Sequence, residues 1–370
     1  ALDVAKNVSE VAKTLKAYKR DQVETGRLFE ERRFGDLRHR ADKALIQDLK
    51  KVRSALIQKG LGGKNLKYAH ALIGRSIFIR YLEDRGILTA EYFHGVAKGN
   101  RQWRAILERP SEKTDINREM GNLLFPRVLV DHAFTFALFE RLAMDFNGDM
   151  FPLYPREQEV ITQPHLSLLQ GFLRGDSDPQ KKLFFSAYKF DIIPIELISS
   201  IYEEFYHVQN GKSTQGSFYT PPALVEFILF QVLTPERLEE NPKIIDPACG
   251  SGIFLVEAFR RIVRYYTRKR GRRLSFQSLR KILREQIRGI DINPESIRVA
   301  AFSLYLAMLH YLKPPDILRQ LKKGHRLPHL IADKNCSDND TFNILLASNA
   351  FAVNKNALPE SAKERFTENC

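Results

Sequence analysis

The sequence predicts a two-part chain, an α-helical first half followed by an α/β second half built on a parallel sheet. Apolar residues recur at helical spacing up to about residue 200. From about Gly211 the pattern changes to short β-branched runs, each followed by a turn and a helical segment. At 370 residues and 44% hydrophobic composition, the chain is long enough to bury two cores.

In the first half, Leu45, Leu49, Val52 and Leu56 form one stripe, and Leu72, Phe78, Ile79 and Leu82 form a broader one. These segments are predicted to be amphipathic helices packed on one another. Further helices are predicted at 129–144, 165–173 and 196–208, with polar stretches rich in Pro, Gly and Asp at 147–156 and 175–180. There is no internal repeat and no low-complexity tract. The expected division is an all-α domain over 1–208 and an α/β domain over 209–370.

In the second half, Lys243-Ile-Ile-Asp246 and Ile287-Arg-Gly-Ile-Asp291 read as strands. Strands alternating with helices imply parallel pairing through right-handed crossovers. Ligands of such sheets bind beyond the carboxyl ends of the strands, and both predicted strands end there in an aspartate.

Fifty-eight Lys and Arg against 44 Asp and Glu give a net charge of +14, which suits a polyanionic partner such as nucleic acid. Cys249, Cys336 and Cys370 are too sparse for a disulfide framework or a zinc cluster, so a reducing cytoplasm is the expected compartment. The nine histidines show no metal-ligand spacing, no metal is expected, and His70, within an apolar stripe, reads as packed. The start of the chain lacks the order of a signal peptide, and no run approaches the roughly 18 to 20 apolar residues of a membrane span. No membrane partner is expected. A first residue of Ala1 suggests a processed chain or a piece of a longer one.

The most informative segment is Ile244-Ile-Asp-Pro-Ala-Cys-Gly-Ser-Gly-Ile-Phe-Leu255, a strand, a glycine turn and a helix predicted to reach about Lys269. Gly250 and Gly252 let backbone approach a ligand closely. A dinucleotide fold would place a third glycine where Leu255 stands, and its acid about 20 residues on, well short of Asp291. No Lys-Ser or Lys-Thr pair follows, so this is not a phosphate loop either. An acid at the first strand end suits S-adenosylmethionine, whose ammonium and sulfonium Asp246 attracts. Asp291 can accept both ribose hydroxyls.

Four elements occur in order: Gln215-Gly-Ser-Phe-Tyr-Thr-Pro-Pro222, Asp246-Pro-Ala-Cys-Gly-Ser-Gly252, Gly289-Ile-Asp-Ile-Asn-Pro294 and Leu330-Ile-Ala-Asp333. Over about 209–335 the chain thereby resembles the amino-adenine DNA methyltransferases of restriction-modification systems. The resemblance implies a Rossmann-like methyltransferase sheet and S-adenosylmethionine as cofactor. It implies that Tyr219 and Thr220 contact the methionine end, and that Asp246, Ala248, Cys249, Gly250 and Gly252 form the turn along the amino-acid moiety. By the same resemblance Asp291 and Ile292 hold the ribose and the adenine face, and Asp333 accepts from the adenine amine. The implied partners are double-stranded DNA with its target adenine flipped out, and a specificity or restriction subunit or domain. The helical half is similar to the family's modification subunits and single-chain enzymes, chiefly at Phe78-Ile-Arg-Tyr-Leu-Glu-Asp-Arg-Gly86 and 194–205.

The family holds its target with an Asn-Pro-Pro-aromatic tetrapeptide after the fourth strand. Asn241-Pro242 and Asn293-Pro294 do not continue as Pro-aromatic, and Pro314-Pro315 has no Asn before it. No catalytic residue is therefore assigned, and the fourth strand is expected beyond Cys370, in a longer polypeptide. Two other readings stay open: an RNA or protein-glutamine methyltransferase of the same fold, and a cofactor-binding, DNA-positioning module without catalysis. The basic run 260–273 reads as a helix end roughly 25 Å from the cofactor, where positive charge is favourable in itself.

Overall fold

The computed structural model describes residues 41–109, 123–146, 153–174, 220–324, 327–332 and 341–348. The chain divides into two compact units, Ala1–Asp48 and Leu49–Cys370. Helix α1 (Ala41–Gln58) crosses that division, and Leu45, Leu49, Val52 and Leu56 are all buried, as their spacing requires. The helices that follow are α2 (Leu66–Asp84), α3 (Ala90–Val96), α4 (Arg101–Glu108), α5 (Phe125–Val128), α6 (His132–Phe146), α7 (Glu157–Val160) and α8 (Gln163–Arg174). No strand occurs among the described residues of this half. Helices α6 and α8 fall where the periodicity puts them, and the helix expected at 196–208 lies outside the described residues.

Helix α2 differs from its expected amphipathic character: every residue from Tyr68 to Leu82 is buried. The polar residues among them are accommodated by partners. Arg75 Nη2 donates to both carboxylate oxygens of Glu157 at 2.5 and 2.6 Å. Arg80 pairs with Glu83 (2.8 Å) and Asp84 (2.6 Å) on its own helix. Glu83 Oε1 in turn accepts the Leu124 and Phe125 N–H groups, tying α2 to the start of α5, and burial raises its carboxyl above the usual range. His70 Nε2 accepts from Arg53 Nε at 3.0 Å, and burial followed by the Arg53 charge lowers its pKa to about 3, so it stays neutral and packed.

The second half contains α9 (Pro222–Val232), α10 (Pro235–Glu239), β1 (Ile244–Asp246), α11 (Ile253–Arg270), α12 (Phe276–Gln286), β2 (Ile287–Asp291), α13 (Pro294–His310), α14 (Pro314–Lys322), β3 (His329–Ile331) and β4 (Thr341–Ala347). All strand pairs are parallel, in the order β1-β2-β4-β3, with Asp246 opposite Gly289 and Asp291 opposite Ala347. The strand fourth in chain order thus precedes Cys370, contrary to expectation, and it joins on the β2 side. Its apolar run is broken by Asn343, which is buried at a φ of 49°, and this interruption hides the strand from a pattern reading. Among the described residues, β1 has a neighbour on one edge only.

Helix α13, buried over most of its length, joins the two halves of the Leu49–Cys370 unit. Phe78 of α2 meets Phe302 of α13 edge to face at 6.0 Å. Arg85 Nη2 donates to the carbonyls of Leu309 (3.2 Å) and Leu312 (3.0 Å), capping the end of α13. The boundary expected at 208/209 lies outside the described residues.

The Arg75–Glu157 pair yields a prediction. Glu157→Ala leaves a buried guanidinium without its carboxylate and should cost about 3 to 5 kcal/mol. Arg75→Met combined with Glu157→Leu should cost far less, as urea unfolding of the two variants would show.

Candidate functional site

The site is built where β1 and β2 end. Asp246 closes β1, and its Oδ1 accepts the Ala248 N–H at 3.1 Å, which starts the turn. The Cys249 N–H donates to the Ile290 carbonyl of β2 (2.9 Å), and the Gly252 N–H to the Cys249 carbonyl (2.8 Å). Gly250 and Gly252 have φ of 52° and 85°, the left-handed region that glycine enters without a Cβ penalty.

Asp291 is the centre of this arrangement. Its Oδ2 accepts the Gly250 N–H at 2.9 Å, and its Oδ1 accepts the Asn293 N–H at 2.8 Å. Its carbonyl accepts the Ser348 N–H at 2.9 Å, just past β4. Asn293 Oδ1 then caps α13 by accepting the Glu295 N–H at 3.0 Å, so Asp291 reaches the start of that helix through a relay.

The two glycines have different reasons to be glycine. A Cβ on Gly250 would meet nothing within 4 Å, so the turn faces open space there. On Gly252 it would lie 2.9 Å from Ala300 Cβ and 3.1 Å from Ala300 Cα, so its close approach is to α13. A third glycine, missed in sequence, matters equally: a Cβ on Gly289 would strike Leu255 Cδ1 at 2.6 Å and Leu345 Cδ2 at 2.9 Å. Its position inside a strand, facing the helix of the glycine turn, was the available signal.

Cys249 is buried, with its Sγ 3.0 Å from where a Gly289 Cβ would stand. Its thiol therefore packs beneath the turn, and burial together with Asp246 and Asp291 pushes it well above the usual thiol range. Only its backbone is available to the cleft side. Ala248 is exposed, and Ile292, at 74% exposure, is a large apolar side chain standing free beside Asp291. Thr220 is half-buried, just before the α9 cap Pro221. Tyr219 and Asp333 lie outside the described residues, and the structure brings together Asp246, Ala248, Cys249, Gly250, Gly252, Asp291 and Ile292 at the ends of β1 and β2.

Asp246 is pushed above the usual carboxylate range, first by burial and then by the Asp291 charge, against the lowering effect of the Ala248 hydrogen bond. The arrangement presents two acids of like sign, an open glycine turn and a bare apolar side chain on one side of the strand ends. Behind the turn stands the N-terminus of the 18-residue helix α11, with its unpaired N–H groups and partial positive charge. Such a set can hold a ligand that carries hydroxyls and a cation near the acids, an anion at the helix end and a flat apolar part.

Residues 194–358 match the N-6 DNA Methylase family. All of the expected site residues fall within the matched segment. The chain is 37% identical over 102 residues to the adenine-specific methyltransferase PglX of Streptomyces coelicolor, covering 27% of the chain and 8% of that relative. It is 33% identical over 96 residues to the adenine-specific methyltransferase BrxX of Escherichia coli O9:H4, covering 26% and 7%. A longer match, 22% identical over 353 residues, covers 74% of the chain and 27% of a Methanocaldococcus jannaschii protein named "putative type II restriction enzyme and methyltransferase". The matched parts are thus well under a third of these relatives' lengths. No solved structure matches the chain at a significant level. Among the described residues, no helix is long and apolar enough to cross a membrane, and no three His, Cys, Asp or Glu are grouped to hold a metal ion.

The glycine turn supports two predictions. Gly252→Ala should destabilise the fold by about 2 to 4 kcal/mol, combining overpacking on Ala300 with a left-handed backbone. Gly250→Ala should cost about 1 to 2 kcal/mol, the backbone penalty alone, while placing a methyl group in the open turn. Thermal unfolding of both variants would separate the two roles. The raised Asp246 pKa also fixes a sign. The folded chain holds that proton more tightly than the unfolded one, so the associated stability is present below the unfolded pKa and is lost as pH rises through the raised folded value. Asp246→Asn should flatten that fall in melting temperature, as a pH series would reveal.

Proposed function

We propose that this chain is the cofactor-binding part of an S-adenosylmethionine-dependent DNA adenine methyltransferase, acting in a restriction-modification or related defence system. The carrying observation is the convergence of Asp246, Asp291 and the open turn at Gly250 on one side of the strand ends. On this reading the sheet is the cofactor half of a Rossmann-like methyltransferase domain, with an all-α domain before it. The relatives' printed activities point the same way.

The residues present fit the cofactor. The Asp246 carboxylate attracts a cationic amino group, and the α11 N-terminus suits a carboxylate. Each Asp291 oxygen has a second lone pair beyond the one the backbone uses, so the ribose hydroxyls can be held without dismantling the turn. Ile292 offers the adenine an apolar face, with Tyr219, Thr220 and Asp333 completing the site. When bound, the cofactor supplies an electrophilic methyl group on a sulfonium. The protein's part is to orient the cofactor and to keep water from the open turn.

The acceptor is proposed to be the amino group of an adenine flipped out of duplex DNA, held by an Asn-Pro-Pro-aromatic tetrapeptide in sequence outside this chain. Strand β4 is followed by Ser348-Asn349-Ala350-Phe351, which has neither proline. Among the described residues β1 is paired on one side, which offers an edge on which a further parallel strand can add. The proposed partners are duplex DNA and a specificity or restriction subunit or domain. The absent tetrapeptide also favours a second reading, a cofactor-binding, DNA-positioning module without catalysis.

Calorimetric titration of S-adenosylmethionine into the chain and into Asp246→Asn tests the pocket. Asn keeps the acceptor for Ala248 and removes the charge, so affinity should fall about ten- to a hundred-fold, the cost of a lost charge-assisted contact. Binding that ignores the substitution would refute the assignment. Transfer of labelled methyl to adenine in DNA by the longer polypeptide would decide between the two readings, and label found only on RNA, cytosine or protein would reject the first.

A further inference from the structure

Two adjoining clefts lie at the end of α11 opposite the glycine turn. The larger, about 480 Å³, is lined by Arg270, Arg272 and Arg273 around the end of α11 and by Lys313, Asp316 and Arg319 at α14. The smaller, about 310 Å³, is walled by Arg264, Arg268 and Arg273. They share Arg273, Leu274 and Tyr311, which makes them one elongated groove. The hydroxyl residues Ser275 and Ser278, at the start of α12, also line it.

Helix-end electrostatics accounts for only part of this charge. Arg268, Lys269 and Arg270 occupy the last turn of α11, where cations are favourable. Arg272 and Arg273 lie beyond the helix, and Lys313 is the N-cap of α14, the end of a helix where a cation is disfavoured. Arg264 is 3.5 Å from Glu257 and Arg319 is 3.1 Å from Asp316. Among the described residues Arg268, Arg272, Arg273 and Lys313 have no carboxylate within 4 Å, and all four are exposed. Several uncompensated cations gathered in one groove repel one another, and a polyanion removes that cost.

We infer that this groove binds the phosphate backbone of duplex DNA, as a contact separate from the one at the transferred methyl group. The inference rests on the DNA reading above for its ligand. Two adjoining clefts lined by cations from the end of α11 and from α14 suit a chain of phosphates better than a compact anion. Its cations suit phosphate oxygens, the contacts that position a duplex without reading its sequence. Along helix α11 the groove's cations run from Arg264, about 16 Å from the glycine turn, to the helix end at about 27 Å, which places its phosphates about 5 to 8 base pairs or more from the target base.

The test is fluorescence anisotropy of a labelled 30-base-pair duplex with the chain over a salt series, beside Arg272→Gln/Arg273→Gln and Lys313→Gln/Arg319→Gln. Each double variant should weaken binding about ten-fold near 0.1 M salt. Each should also lower the slope of log affinity against log salt by about 1.8, for two contacts at about 0.9 each. Two double variants on separate segments guard against one failing to fold. S-adenosylmethionine titrated into the same variants should bind as it does to the parent chain; loss of cofactor binding in the parent would reject the pocket while leaving the groove standing. Duplex affinity and salt slope unchanged in both variants, or no duplex binding by the parent at low salt, would overturn the groove. Inorganic tripolyphosphate is the competing arm: if it binds in a substitution-sensitive way while duplex binding does not respond, the groove is a small-anion site and the inference fails.

Discussion

The Asp291 hydrogen bonds hold the site in one piece. Three backbone N–H groups, from Gly250, Asn293 and Ser348, converge on this residue, and they belong to the glycine turn, the α13 cap and the end of β4. Without the Gly250 bond the left-handed turn would lose its anchor to β2, and without the Asn293 bond the relay into α13 would break. The carboxylate is thus structural before any ligand arrives. This is why a substitution at Asp291 would confound folding with binding, whereas Asp246, which supports only Ala248, reports on the ligand.

Small residues set how closely the layers approach this keystone. Gly289 admits Leu255 from α11 and Leu345 from β4 into the space its side chain would fill, and Gly252 admits Ala300 from α13. The glycine turn is therefore pressed onto the sheet by two neighbouring helices, and only Gly250 is left open. Helix α9 shows the opposite situation. Val225 and Leu229 are buried, while Phe227 and Phe230 are 62% and 67% exposed. That face, and the edge of β1 that has no neighbour among the described residues, are features a chain ordinarily covers, because bare edges and apolar patches invite association. A further segment of sheet, as the proposed function requires, would be stabilised by both.

Much of this was legible in the sequence because local chemistry dictates it. The turn at 246–252 needs glycines and a strand-end acid whatever surrounds it, and the alternation of short apolar runs with helical stripes gives parallel pairing. Tertiary context decided the rest. Helix α2 carries Arg75 and Arg80, which a periodicity reading assigns to solvent, yet partners as distant in sequence as Glu157 allow every face to be buried. Strand β4 was hidden by Asn343 within its apolar run, and the packing role of Gly289 appears only when β2 is set between α11 and β4. The basic run 260–273 was visible as charge, but Lys313 and Arg319 reach it through α14, more than 40 residues later in sequence.

Helix α11 gives these separate features a common axis. Its first turn stands on the glycine loop, its buried side from Leu255 to Val263 packs into the core, and its last turn opens on the cationic groove. Arg261 donates to the Glu226 carbonyl of α9 at 3.1 Å, and Lys269 pairs with Glu239 of α10 at 3.0 Å, so the helix is braced along its length. A rigid rod held at both ends fixes the distance between whatever occupies the two sites. If one site positions a cofactor and the other a stretch of phosphates, the separation between the methyl donor and the distant backbone is set by the number of residues in α11, and neither site needs to move for the other to be filled.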